Sequence, residues 1–367
     1  MRYARGLSSL TSLGHAPYLR ACALAAALAG TVATARADEP AATEPPISTA
    51  RRAAAIAAAS LPGLVVPGLG ARVIHEPRAA NRLLALRAVG VGLMVVGGVP
   101  LAITYGSAKL VVPGVHLVVA GSGLFLGGWW ADVYTAAGGG EDPTRWRAPL
   151  ELGATATWWR DAYHGDRALG GVDVRGRLGR WSGAAWLAEA HDGSALVGRV
   201  DGAARLWDRA QRRAAHTGTA LDVRAAVDVT RERDDRLTLA TGELALRGRL
   251  ILSELDRALT GSFLDLELGA GLVLADYRAG DTDTTATLLA RFAWGVFLPC
   301  DRGEVSVFYD HRRDSRAGGL AADRAAGFFG SIGADAELAL DATWTVAATV
   351  EIGSAWVSTL GVRRGWR

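Results

Sequence analysis

The sequence predicts a mainly-β protein: an antiparallel up-and-down transmembrane β-barrel of about twelve strands, preceded by an N-terminal signal peptide and a glycine-rich α-helical hairpin. Three observations predict it. Residues 1–37 carry the charge and hydropathy pattern of an export signal, residues 83–131 hold two long apolar runs, and from Leu150 onward the apolar period shortens to two. Composition agrees with this. At 50% hydrophobic residues and two cysteines among 367 residues, the chain is too apolar for a disordered protein and too poor in cysteine for a disulfide-stapled scaffold. Lys109, Asn81 and Gln211 are the single lysine, asparagine and glutamine, a bias that reflects GC-rich coding and discounts the arginine and alanine counts.

The export signal comes first along the chain. Arg2, Arg5 and Arg20 precede an apolar run from Ala21 to Val32 that is too short to span a bilayer. Ala35 and Ala37 then supply the small residues a signal peptidase reads, which places cleavage after Ala37. Lipoprotein processing at Cys22 is excluded because Arg20 breaks the preceding small-residue box. The acidic, proline-rich stretch 38–50 reads as a solvated linker. Loss of residues 1–37 removes four arginines and no acid, which turns a formal charge of +3 into −1. Nucleic-acid binding thereby loses its electrostatic motive. Cys300 alone cannot form an internal disulfide.

Residues 51–140 form the apolar block. A short alanine-rich helix (51–60) and a breaker, Leu61-Pro62-Gly63 to Pro67-Gly68-Leu69-Gly70, precede the runs Leu83–Tyr105 and Leu110–Ala131, each long enough to cross a hydrocarbon layer. Arg87, His116, Pro100, Pro113 and many glycines hold both runs near the insertion threshold. Gly123 and Gly127 have the spacing that brings two helices close together, so the expectation is that they form the hairpin's own seam. Pro67-Gly68-Leu69-Gly70 together with Trp129-Trp130-Ala131-Asp132-Val133-Tyr134 resembles bacterial membrane families of unassigned function, in which a Pro-Gly-x-Gly turn precedes a glycine-rich hydrophobic hairpin with an aromatic, Asp-containing end. The resemblance implies membrane association and brings no chemistry.

Residues 141–367 read as the barrel domain. In Leu221 to Val229 the odd positions are apolar and the charges fall on even ones, which a strand converts into one greasy and one wet face. The pattern recurs at 243–253, 264–268, 286–296 and 344–352, giving strands expected to start near residues 150, 168, 181, 195, 217, 236, 260, 283, 303, 324, 342 and 355. Tight turns at 178–180, 299–303 and 340–342 alternate with polar stretches at 160–167, 191–194, 230–236, 276–283 and 311–323, so long loops are expected on one side only. The stretch 207–216 breaks that rule. Residues 150–367 resemble bacterial outer-membrane β-barrels in general. That resemblance implies a Gram-negative outer membrane, a lipid bilayer and the outer-membrane assembly machinery as partners, and a terminal aromatic signal. Here Trp366 is penultimate and Arg364 interrupts the apolar parity, which makes the twelfth strand the weakest expectation.

If the apolar parity faces lipid, the lumen receives Asp173, Arg175, Arg177, Arg199, Asp201, Asp222, Arg224, Asp228, Glu243, Arg247, Arg249, Asp265, Glu267, Arg291, Asp335, Glu337 and Glu351. The two signs interleave, so neighbouring strands can pair them across a plugged or weakly selective interior. Spacing supports neither a metal nor another cofactor. Catalytic footing is confined to His191-Asp192-Gly193-Ser194, Asp234-Asp235 and Asp310-His311; the first reads as an Asp-Gly turn, so no catalytic residue is assigned. The function expected is a structural or passive-transport (porin-like) barrel. The alternatives are an inner-membrane-anchored protein with a periplasmic β-domain and, third, an outer-membrane lipid or peptide hydrolase.

Overall fold

The computed structural model describes residues 47–104, 108–143, 148–161, 165–209, 218–233, 237–277, 282–311, 330–353 and 355–366. The signal peptide, most of the 38–50 linker and Asp234-Asp235 lie outside them. Twelve strands close into one antiparallel barrel, each paired with its sequence neighbours and β1 with β12. They are β1 (Leu150–Asp161), β2 (Gly165–Leu178), β3 (Trp181–Ala190), β4 (Ala195–Asp208), β5 (Ala220–Glu232), β6 (Leu237–Ile251), β7 (Ser262–Tyr277), β8 (Thr282–Leu298), β9 (Gly303–Asp310), β10 (Ser331–Ala339), β11 (Trp344–Ile352) and β12 (Trp356–Trp366).

Strand starts follow the period-two reading closely except at β10, which begins at Ser331 and not near 324. Gly330 explains the difference. It sits at φ +65° beside Asp310, a left-handed conformation that ends the ladder where Ser331 pairs with Asp310. The twelfth strand is fully formed and makes the closure, running from Arg160↔Trp356 to Leu150↔Trp366. Arg364 does not break it, because at the barrel's rim its guanidinium lies 5.8 Å from the Trp344 ring and 5.7 Å from the Trp366 ring.

The alternation resolves into an outside and an inside. Leu244, Val200 and Leu272 stand outward with 61%, 61% and 57% of their surface free, so the apolar stripe is not interdigitated in a dry interior. The expected one-sided long loops are met only between β9 and β10. Elsewhere on that side the polar residues extend the strands: β2 begins at Gly165 and β5 runs to Glu232, and Arg167 reaches Glu232 at 2.5 Å from inside these extensions. A satisfied ion pair at the rim keeps polar sequence in the ladder.

Among the described residues five helices precede the barrel: α1 (Thr49–Ala59), α2 (Leu61–Val65), α3 (Leu69–Val73), α4 (Pro77–Ile103) and α5 (Ala108–Ala136). α4 opens with Pro77 in its first turn, where proline loses no hydrogen bond. By length and composition α4 and α5 can each cross a membrane, with a mean hydropathy of 1.9. They form an antiparallel hairpin that lies alongside the barrel, α5 against the outer wall of β7 and β8. The hairpin seam uses Gly90 facing Gly121 and Gly97 facing Gly114; a Cβ at Gly90, Gly97 or Gly121 would strike the opposite backbone, and one at Gly114 would strike the Leu101 side chain. Gly123 and Gly127 do not serve that seam. They face the barrel, giving room to Phe292 and Leu264, so the small-residue spacing reports a helix-to-barrel contact. The free face of α4 presents Val91, Val95, Val96, Val99 and Ile103.

Candidate functional site

Inside the barrel two polar cavities follow each other along the axis. One, of about 430 Å³, is lined by Asp173, Arg199, Asp228, Glu243, Asp335 and Glu351 among others. The second, of about 330 Å³, lies toward the end where β1 begins and β12 finishes and is lined by Arg177, Asp222, Arg247 and Arg249; Arg175, Asp201, Arg224 and Arg291 border both. Asp265, Glu267 and Glu337 lie behind these linings as partners of the arginines.

The pairing crosses strands because successive lumen residues are held two apart on each strand and the sheet is tilted. Arg199 meets Glu243 at 2.5 Å and Arg224 meets Glu267 at 2.9 Å, each skipping one strand. Arg247 and Arg249 share Asp265 at 2.8 Å each, and Arg249 continues to Glu304 at 3.0 Å. Arg291 reaches Asp335 at 2.8 Å. Two links pass over the closure, Arg175 to Glu337 at 2.7 Å, which spans three intervening strands, and Arg363 to Asp173 at 2.5 Å; Arg363 also reaches Glu337 at 3.2 Å across β11. Arg363, Glu304, Arg205 and Asp310 belong to this wet face and were missed in the sequence reading. The signal was present, since Arg363 shares the parity of Val357 and Thr359, but it sits on the strand that Arg364 made doubtful.

The catalytic candidates are dispersed. Ser194 donates both its hydroxyl (2.6 Å) and its backbone N–H (2.9 Å) to Asp192, with Gly193 at φ +70°, which is an Asp-Gly turn closing β3 onto β4. These bonds hold the Asp192 carboxyl below the usual aspartate range. A depressed folded value means that the turn's contribution is present at neutral pH and is lost as pH falls through that value. Ser194→Ala is therefore expected to raise the Asp192 titration midpoint toward that of a free aspartate, as read by NMR. Asp310 lines the lumen, while His311 receives or donates a 2.8 Å bond with the Tyr309 hydroxyl, so the two serve different surroundings. Among the described residues no group of three metal-ligating side chains converges.

A second polar cluster lies in the helical segment. Asp132 accepts from the backbone N–H groups of Gly70 (3.2 Å) and Ala71 (2.9 Å); Gly68, at φ +71°, turns the chain into α3 for this contact. Arg87 donates to the carbonyls of Gly63, at 2.5 Å, and Leu64, and lies 4.2 Å from the centre of the Phe125 ring. Trp129 Nε1 donates to the carbonyls of Ala59 and Ser60 at 2.9 and 2.7 Å. Asp132 and Arg87 are both almost wholly buried. Farther along α5, His116 Nε2 lies 3.0 Å from the carbonyls of Gly269 and Leu289; carbonyls only accept, so this nitrogen carries the proton. Between α5 and the barrel's outer wall an apolar groove of about 840 Å³ runs past Val118, Leu126, Trp130, Val307 and Ile332.

No family model matches the chain, and no curated protein matches it. Solved structures do. The Acinetobacter baumannii outer membrane protein Omp33 is similar at 10% identity, over 60% of this chain and 99% of that one, with a TM-score of 0.33. The translocator domain of the autotransporter NalP from Neisseria meningitidis is similar at 12% identity, over 60% and 89%, with a TM-score of 0.33. An outer membrane channel from Pseudomonas putida F1 is similar at 9% identity, over 61% and 98%, with a TM-score of 0.35. The fold assignment rests on the closed strand order of this chain itself.

Proposed function

We propose that the chain is an outer-membrane β-barrel of a Gram-negative cell that admits ions and small polar solutes with weak selectivity. One observation carries this reading: on a closed ring of twelve strands the outward residues are apolar and free, while charges of both signs pair inside. A closed ring leaves no unpaired edge, which is what a lipid phase demands of a sheet. The interleaved lumen charges, Asp173 to Glu351, line a narrow polar route and supply no ring of one sign that would select strongly. The bilayer is the partner of the outer face, and β12, ending in Trp366, is the segment the outer-membrane assembly machinery would read. The alternative of an inner-membrane anchor with a separate periplasmic β-domain asks the hairpin and the barrel to occupy different places; the packing of α5 on β7 and β8 supports a shared bilayer.

Density-gradient fractionation followed by planar-bilayer recording tests the proposal. The protein is expected in the outer-membrane fraction as a heat-modifiable band, with a small conductance and a reversal potential near zero in a salt gradient. Recovery with inner-membrane markers, or a folded barrel that passes no current, would refute the localisation or the transport role respectively.

A further inference from the structure

We propose that α1 to α3 dip into one leaflet as a re-entrant loop and that arginines at its mouth clamp anionic phospholipid headgroups. The inference rests on the membrane reading above and extends it to a segment that is neither span nor barrel. α1 runs antiparallel to the end of α5: Arg52 lies beside Gly138, and seven residues on, Ala59 is bonded to Trp129. At 1.5 Å per residue the seven-residue interval on α1 takes the chain roughly 10 Å along the helix axis. It then returns. Gly70 and Ala71 lie at Asp132, and Arg51 donates to the Val73 carbonyl at 2.8 Å, so the segment enters and leaves at the same end.

Broken helix at membrane depth is tolerated only where its backbone groups find partners. Three hairpin side chains supply them: Trp129 at the end of α1, Arg87 at α2 and Asp132 at the start of α3. The tip turns outward its apolar side chains, with Leu61 and Val65 78% and 81% exposed, continuous in kind with the free valines of α4. At the mouth, Arg72, Arg78 and Arg82 stand on α3 and the first turns of α4. On the helical segment Arg51, Arg52, Arg72, Arg78 and Arg82 stand at this end against Glu76 and the buried Asp132, with Glu141 and Asp142 following α5, so the rim keeps exposed guanidiniums such as Arg72 and Arg78 for an anionic headgroup. An apolar tip beneath a cationic rim fits a phospholipid leaflet of negative charge.

The test uses the exported protein with its native Cys300 replaced by serine and single cysteines at Leu61, Val65, Leu272 or Asp341, labelled with a fluorophore and placed in vesicles containing lipids with brominated acyl chains. Labels at Leu61→Cys and Val65→Cys are expected to be quenched like that at Leu272→Cys on the barrel wall, and that at Asp341→Cys to be spared. Quenching at Leu272→Cys without quenching at Leu61→Cys and Val65→Cys overturns the re-entrant loop and leaves the barrel; quenching at none overturns both. For the headgroups, native mass spectrometry from phosphatidylcholine nanodiscs with and without phosphatidylglycerol is expected to show retained phosphatidylglycerol, weakened about five-fold for each of Arg72→Gln, Arg78→Gln and Arg82→Gln. Unchanged retention in the triple variant, or displacement of the lipid by millimolar inorganic phosphate, overturns the clamp. A preserved heat-modifiable band certifies that each variant is folded.

Discussion

Asp132→Ala is expected to release α1 to α3 from the hairpin while leaving the barrel closed. The substitution strands the N–H groups of Gly70 and Ala71 in a buried site and removes a carboxylate that lies near buried Arg87. Each stranded donor costs about 1–3 kcal/mol, and an uncompensated buried charge brings the loss for one such removal to about 3–5 kcal/mol. Short helices of five residues have no stability of their own to resist this. Trypsin cleavage after Arg72 and Arg78 is expected to accelerate steeply, with the heat-modifiable band unchanged. Asp132→Asn, which keeps one acceptor, is expected to show a smaller effect. Equal protease resistance in Asp132→Ala and the parent would show that the staple contributes nothing.

Arg363→Ala is expected to destabilise the closure of the barrel and to open its lumen. Arg363 and Asp173 are only 7% and 6% exposed as side chains and meet at 2.5 Å, so deleting the cation leaves a carboxylate buried without its main partner, at a cost of about 3–5 kcal/mol. Arg175 remains bonded to Glu337 and lies 3.7 Å from Asp173, and so makes up part of the loss. The expected result is a lower unfolding temperature of the heat-modifiable band, a higher single-channel conductance and a reversal potential shifted toward cations. The double variant Arg363→Ala with Asp173→Ala is expected to recover stability and to lose the cation preference. Wild-type conductance in the single variant would show that this strut does not obstruct the lumen.

The sequence displays the barrel because period two is a local property: any nine residues such as Leu221 to Val229 reveal it. Which carboxylate each arginine meets is not local. Arg175 finds Glu337 only because β1 pairs with β12 and the sheet is tilted, facts that no window of residues contains. The same limit explains Gly123 and Gly127, whose spacing announces close packing but not whether a helix or Phe292 and Leu264 will be the neighbour. Polar residues at strand ends misled in the other direction. Arg167 and Glu232 read as loop, yet each satisfies the other and the strands continue through them. In the helical segment, Arg87 and His116 looked like defects in membrane spans. Their hydrogen bonds to backbone carbonyls make them part of how the spans are held.

The wall to which the hairpin docks has a consequence for the order of assembly. α5 is complete in the chain long before β7 and β8 are, yet its contacts reach forward across 153 and 173 residues, from His116 to Gly269 and Leu289. Contacts of such long range form late. The docking wall lies halfway around the ring from the β1–β12 seam. The ring can therefore zip shut at one meridian while the helices settle at the opposite one, and neither event obstructs the other.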